Sequence, residues 1–188
     1  MTLGGSCMID IHHPSPARYG RFLRVAHWTT VALVLLAYAG INARSAFVRG
    51  SPERIFAVES HFLLGMLVLL INLPRIAVRL RQAAPRISPP LGRAAHLAAA
   101  SAHAALFAFV VVQPMLGIAS RLVSGKGIAL PGGWTIPSVG APDIELAHAL
   151  QDVHVVVGEA FYWVIGLHVL AALWHRWIRR DDVLQRML

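Results

Sequence analysis

Cysteine and charge are both scarce in this sequence. Cys7 is the only cysteine among 188 residues, so the sequence offers no pair for an internal disulfide and no Cys-x-x-Cys motif. Cys-x-x-Cys-His is missing as well, which excludes covalent attachment of a c-type haem. Charged residues make up 14% and hydrophobic residues 56% of the chain. This balance excludes an ordinary soluble domain and is typical of a protein that crosses a membrane.

Acidic residues are few: nine Asp and Glu stand against 17 Lys and Arg, and the net charge is +8. A basic chain can bind nucleic acid, but here the basic residues lie between apolar runs and not on one amphipathic face. That pattern argues against nucleic acid and is typical of residues that flank membrane spans. The first twenty residues contain no apolar segment, so we predict residues 1–17 to be a short polar tail and not a signal peptide.

Long apolar runs fill the rest of the sequence, 18–188, as one transmembrane domain. Each run is about as long as the ~20 residues that a helix needs to cross a bilayer. A segment rich in glycine and proline, 120–142, separates the third apolar run from the fourth and is predicted to be a loop. The predicted fold class is therefore all-α, an integral membrane four-helix bundle, with spans at about 22–43, 55–80, 94–120 and 143–178.

Single residues refine these boundaries. Asp143 is predicted to cap the fourth helix, with Glu145 in its first turn. Pro74 and Pro114 lie inside the second and third runs, and at Pro74 a kink or an early end of the helix is expected.

Basic residues are unevenly divided between the two ends of the predicted bundle. The N-terminal tail, the connection between the second and third spans and the C-terminal tail hold twelve of the 17 basic residues. Because cytoplasmic segments carry the excess of Lys and Arg, this side is predicted to be cytoplasmic. Both termini then lie in the cytoplasm, and the loop 120–142 lies outside.

Histidines inside the apolar runs are the main functional candidates, since ionisable residues within a membrane are costly and mark function. His154 and His168 are fourteen residues apart, which places them on nearly one helix face, about 21 Å apart along the axis. The topology puts His61 and His154 toward the outside, and His27 and His168 toward the cytoplasm. We therefore predict two pairs, His61 with His154 and His27 with His168.

Paired imidazoles at two depths are suited to two haems. Two neutral imidazoles on opposite faces of a haem leave its iron without an open position, an arrangement that moves electrons and does not bind oxygen. A small residue at i+4 lies beside a ligand on the same helix face and leaves room for the porphyrin. Three of the four histidines have one, although small residues are also common in membrane-helix packing: Gly65, Gly158 and Ala172.

Several strings together resemble the bacterial cytochrome b561 family. They are RFLRVAHW, ESHFLLG, HAALFAFVVVQPMLG, GGWTIP and HVVVGEAFYWVIGLHVLAALWHRW, with Arg75 and Arg79, and they cover residues 18–186. The resemblance implies a membrane cytochrome with two non-covalent b haems in the bacterial inner membrane, exchanging electrons with the quinone pool. The family's ligand positions match His27, His61, His154 and His168. One departure is visible at the start of the third span, where Ala100 replaces the first of two family histidines and only His103 matches.

Four further residues are weaker candidates for cofactor contacts. Arg75 and Arg79 lie four residues apart and can bind haem propionates, since arginine pairs with carboxylates bidentately, or can extend to lipid headgroups. His103 and His175 can each contact a quinone carbonyl, a propionate or neither.

Three functions remain open at this stage. The first is an oxidoreductase that passes electrons from an outer-face donor to ubiquinone; some members of the resembling family oxidise superoxide. The second is a haem b subunit that relays electrons from a soluble or membrane-bound dehydrogenase or hydrogenase partner to quinone. The third is a metal-ion transporter that uses the histidines as a pathway. Membrane lipid surrounds the protein in all three.

Overall fold

Four long helices form the body of the protein. The structure, a computed structural model, describes residues 18–83, 85, 87 and 90–188. The helices are α1 (Arg21–Ala43), α2 (Pro52–Arg81), α3 (Arg93–Val123) and α4 (Ile144–Trp174). In the described part of the chain, these four are long and apolar enough to cross a membrane. The predicted all-α membrane bundle is thus confirmed. The predicted tail 1–17 lies outside the described residues.

Residues with short polar side chains cap the N-termini of two of the helices. The Ser51 side chain accepts a hydrogen bond from the Arg54 N–H at the start of α2, and Asp143 accepts one from the Leu146 N–H at the start of α4. Such caps satisfy backbone donors that have no partner within the helix. The predicted Asp143 cap is confirmed, whereas α2 begins three residues earlier than the predicted 55 because Ser51 and Pro52 are suited to a helix start.

Two prolines lie within helices that continue past them. Pro74 is inside α2 and Pro114 is inside α3. Of the two alternatives at Pro74, an early end of α2 is therefore excluded, and a kink stays a prediction. A proline removes one hydrogen bond from a helix, but a long apolar helix in a bundle keeps its remaining bonds and its packing.

The predicted loop 120–142 contains a hairpin. Two short antiparallel strands, β1 (Ile128–Leu130) and β2 (Trp134–Ile136), pair with Ile128 opposite Ile136. Gly127 has a positive φ of 64°, and a Cβ there would lie 2.6 Å from the Ile136 carbonyl oxygen, so this position requires glycine. Ile128 is only 1% exposed and anchors the hairpin on the bundle.

The core of the bundle lies at its centre and its outer surface is apolar. Val68, Phe109 and Val110 are buried together, and the rings of Phe109 and Phe161 stack with centroids 4.1 Å apart. Large apolar side chains remain exposed along the helices, as expected for surfaces that face lipid: Leu35, Leu36, Leu70, Leu97, Val156, Leu167 and Leu170.

The C-terminal residues return to the start of α1. The Tyr19 backbone N–H donates to the Arg186 carbonyl at 3.1 Å, the Trp28 indole N–H donates to the Met187 carbonyl at 2.8 Å, and Arg24 donates to the Leu188 carbonyl. The two ends of the described chain therefore lie at one end of the bundle. The hairpin lies at the other.

Candidate functional site: histidines between the helices

One cavity in the bundle contains two of the predicted histidines. It has a volume of about 310 Å³ and is lined by residues of α1 to α4, among them His61 and His154. His61 is on α2 and His154 is on α4, nine and ten residues past the first residues of these helices. Both helices begin at the end of the bundle that carries the hairpin. The two imidazoles are therefore at one depth, as the sequence predicts for the outer pair.

The spacing of these two rings is suited to a shared metal ion. Their centroids are 6.1 Å apart and their planes are almost perpendicular, at 86°. An imidazole nitrogen binds a metal at about 2.0 Å and lies about 1.15 Å from its ring centre, so two imidazoles on opposite sides of one ion have centres about 6.3 Å apart. The distance between the two ring centres thus matches that of two imidazoles on one iron.

Hydrogen bonds fix the protonation of both outer rings. The Nδ1 atom of His61 lies 3.1 Å from the Ala37 carbonyl oxygen on α1, and that of His154 lies 3.0 Å from the Gln113 carbonyl oxygen on α3. A carbonyl only accepts, so each Nδ1 carries the proton and donates. Each Nε2 then keeps its lone pair, which is the form in which a neutral histidine binds iron.

The two small residues of the outer site differ in their surroundings. Both Gly65 and Gly158 line the cavity. A Cβ on Gly65 would meet no atom within 4 Å, so its space is open, as the sequence hypothesis requires. A Cβ on Gly158 would lie 2.9 Å from Nε2 of Gln113. Glycine at 158 is therefore explained by the Gln113 side chain, without reference to a porphyrin.

Polar residues around the outer cavity were not predicted from the sequence. Gln113 donates from Nε2 to the His154 carbonyl at 2.7 Å. Tyr38 donates to the Gly158 carbonyl at 2.7 Å, and its ring lies 4.4 Å from that of Tyr162. Gln113 is an uncharged polar residue inside an otherwise apolar run, and that contrast is the sequence signal that indicates it.

The inner histidines and Arg75 form one cluster and not an isolated pair. The ring centroids of His103 and His168 are 5.5 Å apart, and Arg75 lies over the ring of Phe107, one turn after His103 on α3. Nδ1 of His27 lies 3.1 Å from Nη2 of Arg75. Because a guanidinium only donates, this Nδ1 accepts. The inner cluster therefore holds the expected residue types, but His27 is in the tautomer opposite to that of the outer ligands.

A buried polar network holds Arg75 in place. Asn72 is 0% exposed; its Oδ1 accepts from Arg75 at 2.8 Å, and its Nδ2 donates to the Thr30 hydroxyl at 3.0 Å. Among the residues that the structure describes, Asp181 pairs with His175 and Arg179, and no acidic side chain pairs with Arg75. A partly buried cation without an anion is costly, and Arg75 is held here by the neutral groups of Asn72 and His27.

Arg79 and His175 contact other residues in the described structure. Arg79 lies over the ring of Tyr19, 5.8 Å from its centroid, and donates to the Gln82 carbonyl. Nδ1 of His175 is 2.6 Å from a carboxylate oxygen of buried Asp181, which also pairs with Arg179. The His175 contact holds the end of α4 to the C-terminal residues, and Arg79 contacts residues next to α1 and α2. Both side chains therefore have structural partners.

Four apolar helices around paired imidazoles are typical of one class of protein, the membrane haem proteins that carry electrons. The sequence profile of prokaryotic cytochrome b561 matches residues 18–188, and the chain belongs to this family. It is thus a multi-pass bacterial membrane cytochrome that binds b-type haem and transfers electrons.

Individual relatives cover nearly the whole chain. Cytochrome b561 homolog 1 of Escherichia coli K12 is 30% identical over 171 residues, which are 91% of this chain and 97% of the relative. A probable superoxide oxidase CybB of Yersinia pestis is 30% identical over 167 residues, 86% of this chain and 90% of the relative. Cytochrome b561 homolog 2 of Escherichia coli K12 is 27% identical over 176 residues, 93% of each chain.

Proposed function

We propose that this cytochrome holds two b haems per chain and carries electrons from an outer-face donor to ubiquinone. His61 and His154 bind the outer haem, and His27 and His168 bind the inner one. The observation that carries the proposal is the outer pair, with its ring spacing of 6.1 Å and both Nδ1 atoms donating to carbonyls. Each haem, when bound, supplies one-electron chemistry at an iron without an open coordination position.

At the inner site, Arg75 has two roles in this proposal. Without haem it donates to His27, as described above. Iron at Nε2 of a neutral His27 requires the proton on Nδ1, and Arg75 must then release that atom. Its Nη1 remains on Asn72, so the freed Nη2 can bind a propionate of the inner haem. The cation that has no acidic partner among the described residues thereby gains one.

The orientation in the membrane follows from the distribution of basic residues. The excess of arginine lies in the connection between α2 and α3 and at the termini, all at one end of the bundle. We propose that this end lies in the cytoplasm. Arg86, one of the twelve, lies outside the described residues. The cavity with His61 and His154 then faces the outer side of the inner membrane.

Superoxide is the donor we would test first, since one relative is named a probable superoxide oxidase. Two superoxide ions would give two oxygen molecules and two electrons, and these electrons with two protons would convert ubiquinone to ubiquinol. In liposomes, superoxide generated enzymatically should reduce the haem within seconds, and added ubiquinone should reoxidise it. Superoxide dismutase should abolish the reduction. Haem that stays oxidised under the superoxide flux would rule out this donor.

Carbon monoxide should leave the reduced spectrum nearly unchanged. Histidines on both faces of each haem leave no position for an added ligand. The measurement is a difference spectrum of the dithionite-reduced protein before and after saturation with carbon monoxide. Unfolded protein in denaturant, where axial histidines are lost, is the positive control. A full carbon monoxide band from the intact protein would mean an open iron, in conflict with the proposed pairs.

A further inference from the structure

The segment Gln113-Pro114-Met115-Leu116-Gly117 of α3 contains no proposed haem ligand, yet it contacts one closely. The Gln113 carbonyl accepts from Nδ1 of His154 at 3.0 Å, and the Gln113 amide donates to the His154 carbonyl at 2.7 Å. One residue of α3 thus holds both the ring and the backbone of a residue on α4. We propose that this segment is a positioning site for His154 and sets the reduction potential of the outer haem. The inference rests on the proposed outer haem site.

Gly117 makes this contact possible. A Cβ at this position would lie 3.0 Å from Cε1 and 3.3 Å from Nδ1 of His154. Distances this short force a neighbour to move, and here the neighbour is the imidazole itself. Since Gly117 is four residues after Gln113, the missing side chain lies beside the carbonyl that accepts from Nδ1. Glycine therefore opens the surface of α3 where the ring must approach.

The hydrogen bond from His154 is a second one for the Gln113 carbonyl. Within a helix the Gln113 carbonyl is one turn before the Gly117 N–H and has two lone pairs. One can accept within the helix, and the other accepts from His154. Substituting the Gln113 side chain leaves this carbonyl in place, so Gly117 is the position at which mutation can break the contact.

Loss of the hydrogen bond between His154 and the Gln113 carbonyl should raise the reduction potential of the outer haem. Donation from Nδ1 to a carbonyl fixes the tautomer and raises the basicity of the ligand. A more basic imidazole stabilises ferric iron over ferrous iron and lowers the potential. Displacing the ring from the Gln113 carbonyl should therefore raise the potential of the outer haem, and it should leave the inner haem unchanged because the two sites share no ligand.

Potentiometric titration of purified Gly117→Ala and Gly117→Val proteins tests the proposal. Gly166→Ala is the matched control, since a Cβ at 166 meets no atom within 4 Å. For Gly117→Val we expect the ratio of reduced to oxidised outer haem at fixed ambient potential to rise at least tenfold, which is about 59 mV for one electron. Gly117→Ala should give a smaller shift with the same sign, and low-temperature electron paramagnetic resonance should show an altered outer-haem signal in both variants.

Each outcome decides a separate claim. Unchanged potential and resonance signal in Gly117→Ala and Gly117→Val, with wild-type haem content, would overturn the positioning role. A lowered potential would overturn it too, because the sign would be wrong. If Gly117→Val fails to accumulate, Gly117→Ala alone decides by the same criteria. A wild-type titration with only one haem would instead contradict the proposed function.

Discussion

Replacement of His154 by alanine should lower the haem content of the purified protein from two b haems per chain to one. In the proposed site His154 would supply one of the two nitrogens that hold the outer haem, and without it only His61 of this pair lines the cavity. With one of its two proposed iron–nitrogen bonds removed, the outer haem should bind more weakly and be lost during purification. The inner haem should remain, because its proposed ligands are on other turns of the helices. The measurement is pyridine haemochrome absorbance per mole of protein.

His148→Ala is the matched control for this experiment. His148 is on the same helix, α4, but is exposed and is not among the residues that line the outer cavity. It should retain both haems. Full haem content in His154→Ala would refute the outer pair, and loss of both haems in a protein that remains monodisperse in detergent would refute independent sites.

Filling the outer cavity should have nearly as large an effect as removing a ligand. Gly65 lines this cavity, and the position of its absent Cβ is open, with no atom within 4 Å. A leucine there would project into the space between the helices beside His61, four residues away on the same face. We expect Gly65→Leu to lose at least half of the outer haem while it keeps all four histidines.

Gly166→Leu serves as the control for side-chain size. Gly166 is also within a long apolar helix and also open at Cβ, but it does not line the outer cavity. Haem content and the reduced spectrum of both variants should be compared at equal protein concentration. If Gly65→Leu keeps the wild-type content of outer haem, the role of Gly65 is ordinary helix packing and not space for the haem. Gly158 is unsuitable for this test, because a side chain there would also collide with the Gln113 amide.

The proposed sites also predict how electrons cross the membrane. His154 and His168 are fourteen residues apart on one helix, so their depths differ by about 21 Å, or slightly less if the helix is tilted. Porphyrin rings extend toward each other from the two irons, so their edges come much closer. Electrons could then pass between the two leaflets without movement of the protein.

The sequence by itself determined the class of fold. Apolar runs of about bilayer length can satisfy their backbone hydrogen bonds in lipid only as helices, so composition and run length sufficed for four spans. The outer pair was predicted for a similar reason: His61 and His154 each follow a helix start at the same end by about the same number of residues. Helix position converts directly into depth because the rise per residue is constant.

Only the tertiary structure decided what surrounds each histidine. The acceptors Ala37 and Gln113 are on neighbouring helices, far from His61 and His154 in the sequence, and which helix faces meet depends on packing that no local pattern encodes. The same holds for the bond between Arg75 and His27. The hairpin of β1 and β2 was missed because its strands have three residues each. So short a run carries no periodic signal, and the buried Ile128 stabilises the hairpin only once the helices are in place.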